Sequence, residues 1–117
     1  MDRLTSYRNT VQETIKKYYN LTNSQITNAK DTAISERLIL DSERDQYLWL
    51  RCGWDGKKRV QHIILYLHIQ NGKIWVEEDS TDMAIVDDLL AAGIPTTDII
   101  LGFHHPNKRA LTEFAIT

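Results

Sequence analysis

GWDGKKRVQHIILYLHIQNGKIWVEED, the stretch from Gly53 to Asp79, holds two turn signals, Asp55-Gly56 and Asn71-Gly72, each between runs rich in β-branched and aromatic residues. Such dipeptides between alternating apolar runs are the strongest short-range mark of hairpins. The stretch therefore predicts three antiparallel strands. With Asn71-Gly72 as a two-residue loop, Ile69 falls opposite Ile74, His68 opposite Trp75, Leu67 opposite Val76 and Tyr66 opposite Glu77. Side chains alternate along a strand, so one face is aliphatic and the other carries His62, Ile64, Tyr66, His68 and Trp75. An aromatic and imidazole surface is unlike an ordinary solvated face, and a function is expected there.

Upstream, Ile34 to Asp41 predicts a strand, Ser42 to Asp45 its turn, and Gln46 to Cys52 a further strand in which Leu48 and Leu50 alternate with Tyr47, Trp49 and Arg51. Counting through Asp55-Gly56 as the loop puts Leu48 opposite Ile63 and Trp49 opposite His62, which adds Tyr47 and Trp49 to the aromatic face. Leu4, Tyr7, Val11, Ile15 and Tyr18 recur at spacings of three and four, the apolar stripe of a helix that docks on a core. Asn20 to Thr32 is rich in Asn, Thr and Ser, whose side chains compete for backbone hydrogen bonds, and predicts a loop.

After Asp79 the period changes. Ser80 and Thr81 are cap candidates, Asp82 suits a first turn, and Ile85, Val86, Leu89 and Leu90 make a stripe ended by Gly93, so a second helix is expected over about 82 to 92. Thr96 to Asp98 predicts a turn, Ile99 to Leu101 a short strand, Gly102 to Pro106 a loop, and Leu111 to Ile116 a final strand or extended tail. The fold class is α+β. A four-stranded antiparallel meander carries an N-terminal helix, a second helix after the meander and a short C-terminal strand pair, both helices covering the aliphatic face.

A chain of 117 residues, 42% hydrophobic and 26% charged, has the proportions of one domain spanning 1–117. A net charge of −2 argues against bulk electrostatic binding to nucleic acid. Cys52 is the only cysteine, which excludes an intrachain disulfide or thiolate zinc cluster and suits the cytoplasm. The opening MDRLTSYRN is polar, and no apolar run approaches the roughly 18 residues of a membrane span, so neither secretion nor membrane insertion is expected.

Chemical constellations are sparse. His62, Tyr66 and His68 share a predicted face, with His104 and His105 elsewhere, but six residues of strand cover ~20 Å, too far for His62 and His68 to hold one ion. Glu77 and Glu78 are strand neighbours that point to opposite faces, against a shared Mg²⁺. Cys52 has no local His to activate it. No catalytic, cofactor or metal site is therefore assigned. Tyr47, Trp49, Tyr66, His68 and Trp75 are the candidate partner-binding residues, since interface cores favour large aromatic side chains with few charges. Lys57, Lys58 and Arg59, with Lys108-Arg109 as a second contribution, are candidate phosphate contacts of modest, salt-sensitive affinity.

Taken in order, Asp41-x-Glu43-Arg44-Asp45-x-Tyr47, Gly53-Trp54-x-Gly56-x-x-Arg59, Gly72-Lys73-Ile74-Trp75 and Asp98-Ile99-x-Leu101-Gly102-Phe103-His104-x-Pro106 closely resemble the XisI family, whose members are named as fdxN element excision controlling factors. Leu4-x-x-Tyr7-Arg8 and Thr112-x-Phe114-Ala115 extend the resemblance over essentially the whole chain. Two positions depart from it: Ser80 stands where a glycine is expected, and Gln61-His62 where Tyr-Gly is common. The resemblance implies a non-enzymatic accessory role in programmed excision of a DNA element. Its implied partners are an XisH-like protein of nuclease fold and a serine recombinase, with a homo-oligomer as a further candidate and DNA met only weakly or indirectly. The competing readings are a small metal-dependent hydrolase or nuclease subunit using the histidines and Glu77, and a weak DNA-binding module using the basic turn.

Overall fold

The computed structural model of the 117-residue chain describes residues 2–25 and 33–117. Helix α1 spans Arg3–Gln25 and is capped by Asp2, whose Oδ1 accepts from the Thr5 amide at 2.7 Å. Tyr7, Val11 and Ile15 are buried, with Leu4, Tyr18 and Tyr19 packed beside them, so the stripe faces the core. The helix also runs through Asn20 to Gln25, where a loop was expected. Polar residues cost a helix only tenths of a kcal/mol each once the docked stripe has nucleated it, so polarity there marks exposure. The remainder of that predicted loop, 26–32, lies outside the described residues.

Five strands follow: β1 Ala33–Asp41, β2 Gln46–Asp55, β3 Lys58–Gln70, β4 Lys73–Asp79 and β5 Ile99–Leu101. They lie in sequence order, the first four antiparallel. β5 runs parallel to β4, which the intervening helix α2, Ala84–Ala91, makes possible as a crossover. A 3₁₀ turn, Thr96–Asp98, leads into β5, and a short helix α3, Pro106–Arg109, follows it. The last residues touch the sheet through a parallel bridge between Ile100 and Ala115.

The β3–β4 hairpin closes as expected through Asn71 and Gly72, both at positive φ (55° and 75°), the pattern of a type I′ turn. Ile69 faces Ile74, His68 faces Trp75 and Leu67 faces Val76. Beyond that point a bulge inserts Glu77, so Tyr66 pairs with Glu78 and not with Glu77.

The β2–β3 register differs from expectation by three residues. Its loop is Gly56-Lys57, with Asp55 facing Lys58 and φ 61° at Gly56, the first central residue as in a type II′ turn. That accounts for a shift of two; a bulge at Ile64, between the Trp49–Leu65 and Leu50–Ile63 pairs, adds one. An odd shift exchanges the faces of a strand. Leu48 therefore faces Tyr66, and Trp49 faces Leu65, not His62.

Tyr47 and Trp49 consequently join Leu65, Leu67, Ile74 and Val76 on the side covered by α1 and α2, where they form one core with Ile85, Val86 and Leu89. Tyr47 is fully buried and donates its hydroxyl to Asp45 Oδ1 at 3.0 Å. Arg8 of α1 grips the same carboxylate through Nε (2.7 Å) and Nη2 (3.1 Å). These Arg8 hydrogen bonds, with those of Tyr47, hold the Asp45 carboxyl below its usual 3.8, while burial and the Asp45 hydroxyl contact push Tyr47 upward.

A group whose folded pKa is depressed adds stability at neutral pH that is lost as pH falls through 3.8 toward the folded value. Urea unfolding at pH 7 and pH 3 should therefore show a steeper acid loss in the wild type than in Asp45→Asn. Asn also tolerates the left-handed φ of 55° at that position. Equal pH slopes in the two proteins would remove Asp45 as the acid-sensitive group.

Helix α2 begins later than expected. Asp82 and Met83 are left-handed (φ 56° and 74°), and the cap is built from side chains before them. Thr81 Oγ1 accepts from the Ile85 amide at 3.1 Å, and the Asp79 carboxylate accepts from the Thr81 and Met83 amides. The positive φ thus sits downstream of Ser80, which needs no glycine conformation.

Candidate protein-contact face

The strand pairings lay out the side of the sheet away from the two long helices in rows. Arg37, Leu50 and Ile63 form one row, Ile39, Leu48, Tyr66 and Glu78 the next, and Asp41, Gln46, His68, Trp75 and Ile100 the one beyond. On the β1–β3 half this face is bare and apolar. Ile39 and Ile63 are 45% and 40% exposed, and a trough of about 680 Å³ is lined by Leu48, Leu50, Ile63, Gln61, His62, Glu78 and Ser80. Contiguous exposed apolar surface rimmed by polar groups marks contact sites.

On the β4–β5 half the face is partly covered. Trp75 and His68 stack at 5.6 Å with planes 12° apart, and Tyr66 stands 5.8 Å from His68. The Arg109 guanidinium lies 5.4 Å from the Trp75 ring and donates to the carbonyls of Leu101 and Gly102 (3.3 and 3.2 Å). It clamps the segment after β5 onto this end of the sheet. His68 Nε2 meets Glu77 Oε1 at 3.0 Å, which uses the residue that the bulge inserts. The indole nitrogen of Trp75 is buried with no hydrogen-bond partner among the described residues.

Of the five residues predicted for partner contact, the structure brings Tyr66, His68 and Trp75 together and places Tyr47 and Trp49 on the opposite side. The residues that complete the bare half, Ile39, Leu48, Leu50 and Ile63, went unassigned. Their signal was present in the alternation of Leu48 and Leu50 with Tyr47, Trp49 and Arg51, but the flipped register assigned it to the core.

Lys57, Lys58 and Arg59 are exposed at the β2–β3 turn, where Arg59 lies 5.3 Å from the Trp54 ring. Arg109 is not part of that patch: Arg59 and His68, which pairs with Trp75, are separated by about 30 Å of β3. His105 caps α3 by accepting the Asn107 amide on Nδ1 at 3.2 Å, and the His104 ring sits 4.5 Å from Phe103. Among the described residues no group of three or more His, Cys, Asp and Glu is gathered to hold a metal ion. No described helix is long and apolar enough to cross a membrane.

The fold and face define a small α+β domain with one helix-covered sheet side and one side half open. The chain belongs to the XisI family: the family model described as XisI protein matches residues 1–116. It is similar to the crystal structure of fdxN element excision controlling factor XisI from Anabaena variabilis ATCC 29413, with 71% identity over 99% of this chain and 100% of that one and a TM-score of 0.88. It is also similar to an XisI-like protein from the same strain, with 32% identity over 92% of this chain and 99% of that one and a TM-score of 0.72. No curated protein matches it.

Proposed function

We propose that this chain is a non-enzymatic cytoplasmic accessory factor that controls site-specific excision of a DNA element. It does so through protein contacts with an XisH-like, nuclease-fold partner and a serine recombinase. The observation that carries the reading is the bare sheet face, with Ile39, Leu48, Leu50 and Ile63 beside the Tyr66, His68 and Trp75 rings, in a protein 71% identical to one named an excision controlling factor. DNA then meets the assembly chiefly through the partner and recombinase, with Lys57, Lys58 and Arg59 adding weak phosphate contact.

Excision is testable in cells that supply the XisH-like protein, the recombinase and a plasmid-borne element. The expected result is excision that depends on this chain, and co-purification with the XisH-like protein that Ile39→Glu weakens roughly 30-fold, equivalent to about 2 kcal/mol. Ile39 is 45% exposed, so the charge should cost the fold little. Undiminished excision without this chain would refute the reading, as would duplex cleavage by the purified chain alone.

A further inference from the structure

We infer that the bare half of the sheet is the contact between two copies of this chain, related by a two-fold axis running along the strands between β2 and β3. The inference rests on reading the face as a protein contact and names its first occupant. The trough floor is flanked on β1 by Arg37 and on β4 by Glu78, both exposed. Arg37 touches Ser35 Oγ at 3.4 Å, and neither residue enters any ion pair among the described residues.

A partner of uniform charge would satisfy one flank and repel the other. A second copy satisfies both. Turned about that axis, β1 of one copy lies over β4 of the other, so Arg37 faces Glu78 of the second copy at each end, while Leu48, Leu50 and Ile63 meet across the middle. Two apolar sheet faces stack in this way about 10 Å apart, with strands nearly aligned. The segment clamped by Arg109 over Trp75 is carried by the same axis to the outer side of β1 of the second copy, clear of the contact. His68 and Trp75, one row along, stay at the rim, where the XisH-like partner can reach them.

Sedimentation of the full chain up to about 100 μM tests this. The expected species has twice the 13.6 kDa chain mass. Ile63→Glu should raise its dissociation constant roughly 30-fold or more with unchanged circular dichroism and thermal midpoint. Arg37→Glu and Glu78→Arg should each weaken the dimer, and the two combined should restore it. A wild type that stays monomeric overturns the inference, and so does a doubly reversed protein that stays apart. Capture of the XisH-like partner, measured on the same variants, separates the two proposals. A monomeric wild type whose Ile63→Glu form loses the partner overturns the dimer and leaves the functional reading standing. Variants that change neither association nor capture overturn both.

Discussion

Gly53→Ala should lower the thermal midpoint by roughly 10–20 °C, a loss of about 3–5 kcal/mol from a domain whose whole stability is on the order of 5–15 kcal/mol. Gly53 has φ 152°, which side-chain-bearing residues rarely adopt, and a Cβ there would lie 2.0 Å from the Ala33 carbonyl oxygen and 2.6 Å from Ile34 Cα. Those are backbone atoms of β1, directly paired with Gly53, and no rotamer change can move them. The strain of the backbone and the overlap each cost about 1–3 kcal/mol. The chain must either spread β1 from β2 or twist the pair out of register. Gly56, three residues on, is the control: its φ is 61° but a Cβ would meet nothing within 4 Å, so Gly56→Ala should cost only about 1 kcal/mol. Thermal unfolding of the two variants side by side gives the answer. A Gly53→Ala midpoint no lower than that of Gly56→Ala would show that β1 yields there without cost.

The parts of the fold set by local chemistry were legible in the sequence. Asn71-Gly72 dictates a turn whose geometry needs positive φ at both positions, and the pairing counted from it holds as far as Leu67 opposite Val76. The docking stripe of α1 and the apolar stripe of α2 also face the core as their spacing demands. What could not be read was the placement of bulges. Ile64 and Glu77 are ordinary strand residues, and nothing in their identity marks them as the ones left out of the ladder.

Asp55-Gly56 carried a further ambiguity, because one glycine serves as the second residue of one loop or the first of another. Each such error is one or two residues, yet their sum decides which face of β2 is buried. The candidate contact face was therefore located on β3 and β4 and mistaken on β2, where Tyr47 and Trp49 belong to the core. Side-chain links across long sequence separations, such as Arg8 to Asp45 or Arg109 to Trp75, leave no periodic trace at all.

Trp49→Ala and Trp75→Ala should therefore have opposite signatures, although the two indoles come from the same predicted surface. Trp49 is 3% exposed and lies edge-on to Tyr19 of α1 at 5.8 Å. Its Nε1 donates to Glu36 Oε2 at 2.6 Å, and Glu36 also binds Arg51 Nε at 2.6 Å. Truncation empties the seam between helix and sheet and leaves Glu36 with one of its two partners, so the cost should be ~3–5 kcal/mol of folding stability. Any loss of partner capture should follow the loss of folded protein and vanish at a temperature where the variant is fully folded.

Trp75 is only half-buried, packed between His68 and the Arg109 guanidinium, and its indole N–H has no partner to strand. Its removal should cost about 1–2 kcal/mol, the lower range for a ring not enclosed by core. Partner capture should nevertheless fall roughly 30-fold in fully folded protein, because a rigid aromatic side chain at the edge of an apolar trough is the kind of residue that carries binding energy. Trp49→Phe and Trp75→Phe refine the comparison. The first keeps most of the packing and isolates the Glu36 hydrogen bond, while the second keeps the ring against Arg109 and should recover most of the capture. Urea unfolding and capture of the XisH-like protein, measured on all four variants, separate stability from binding. If Trp49→Ala proved as stable as wild type while abolishing capture, the two faces of β2 would have to be exchanged.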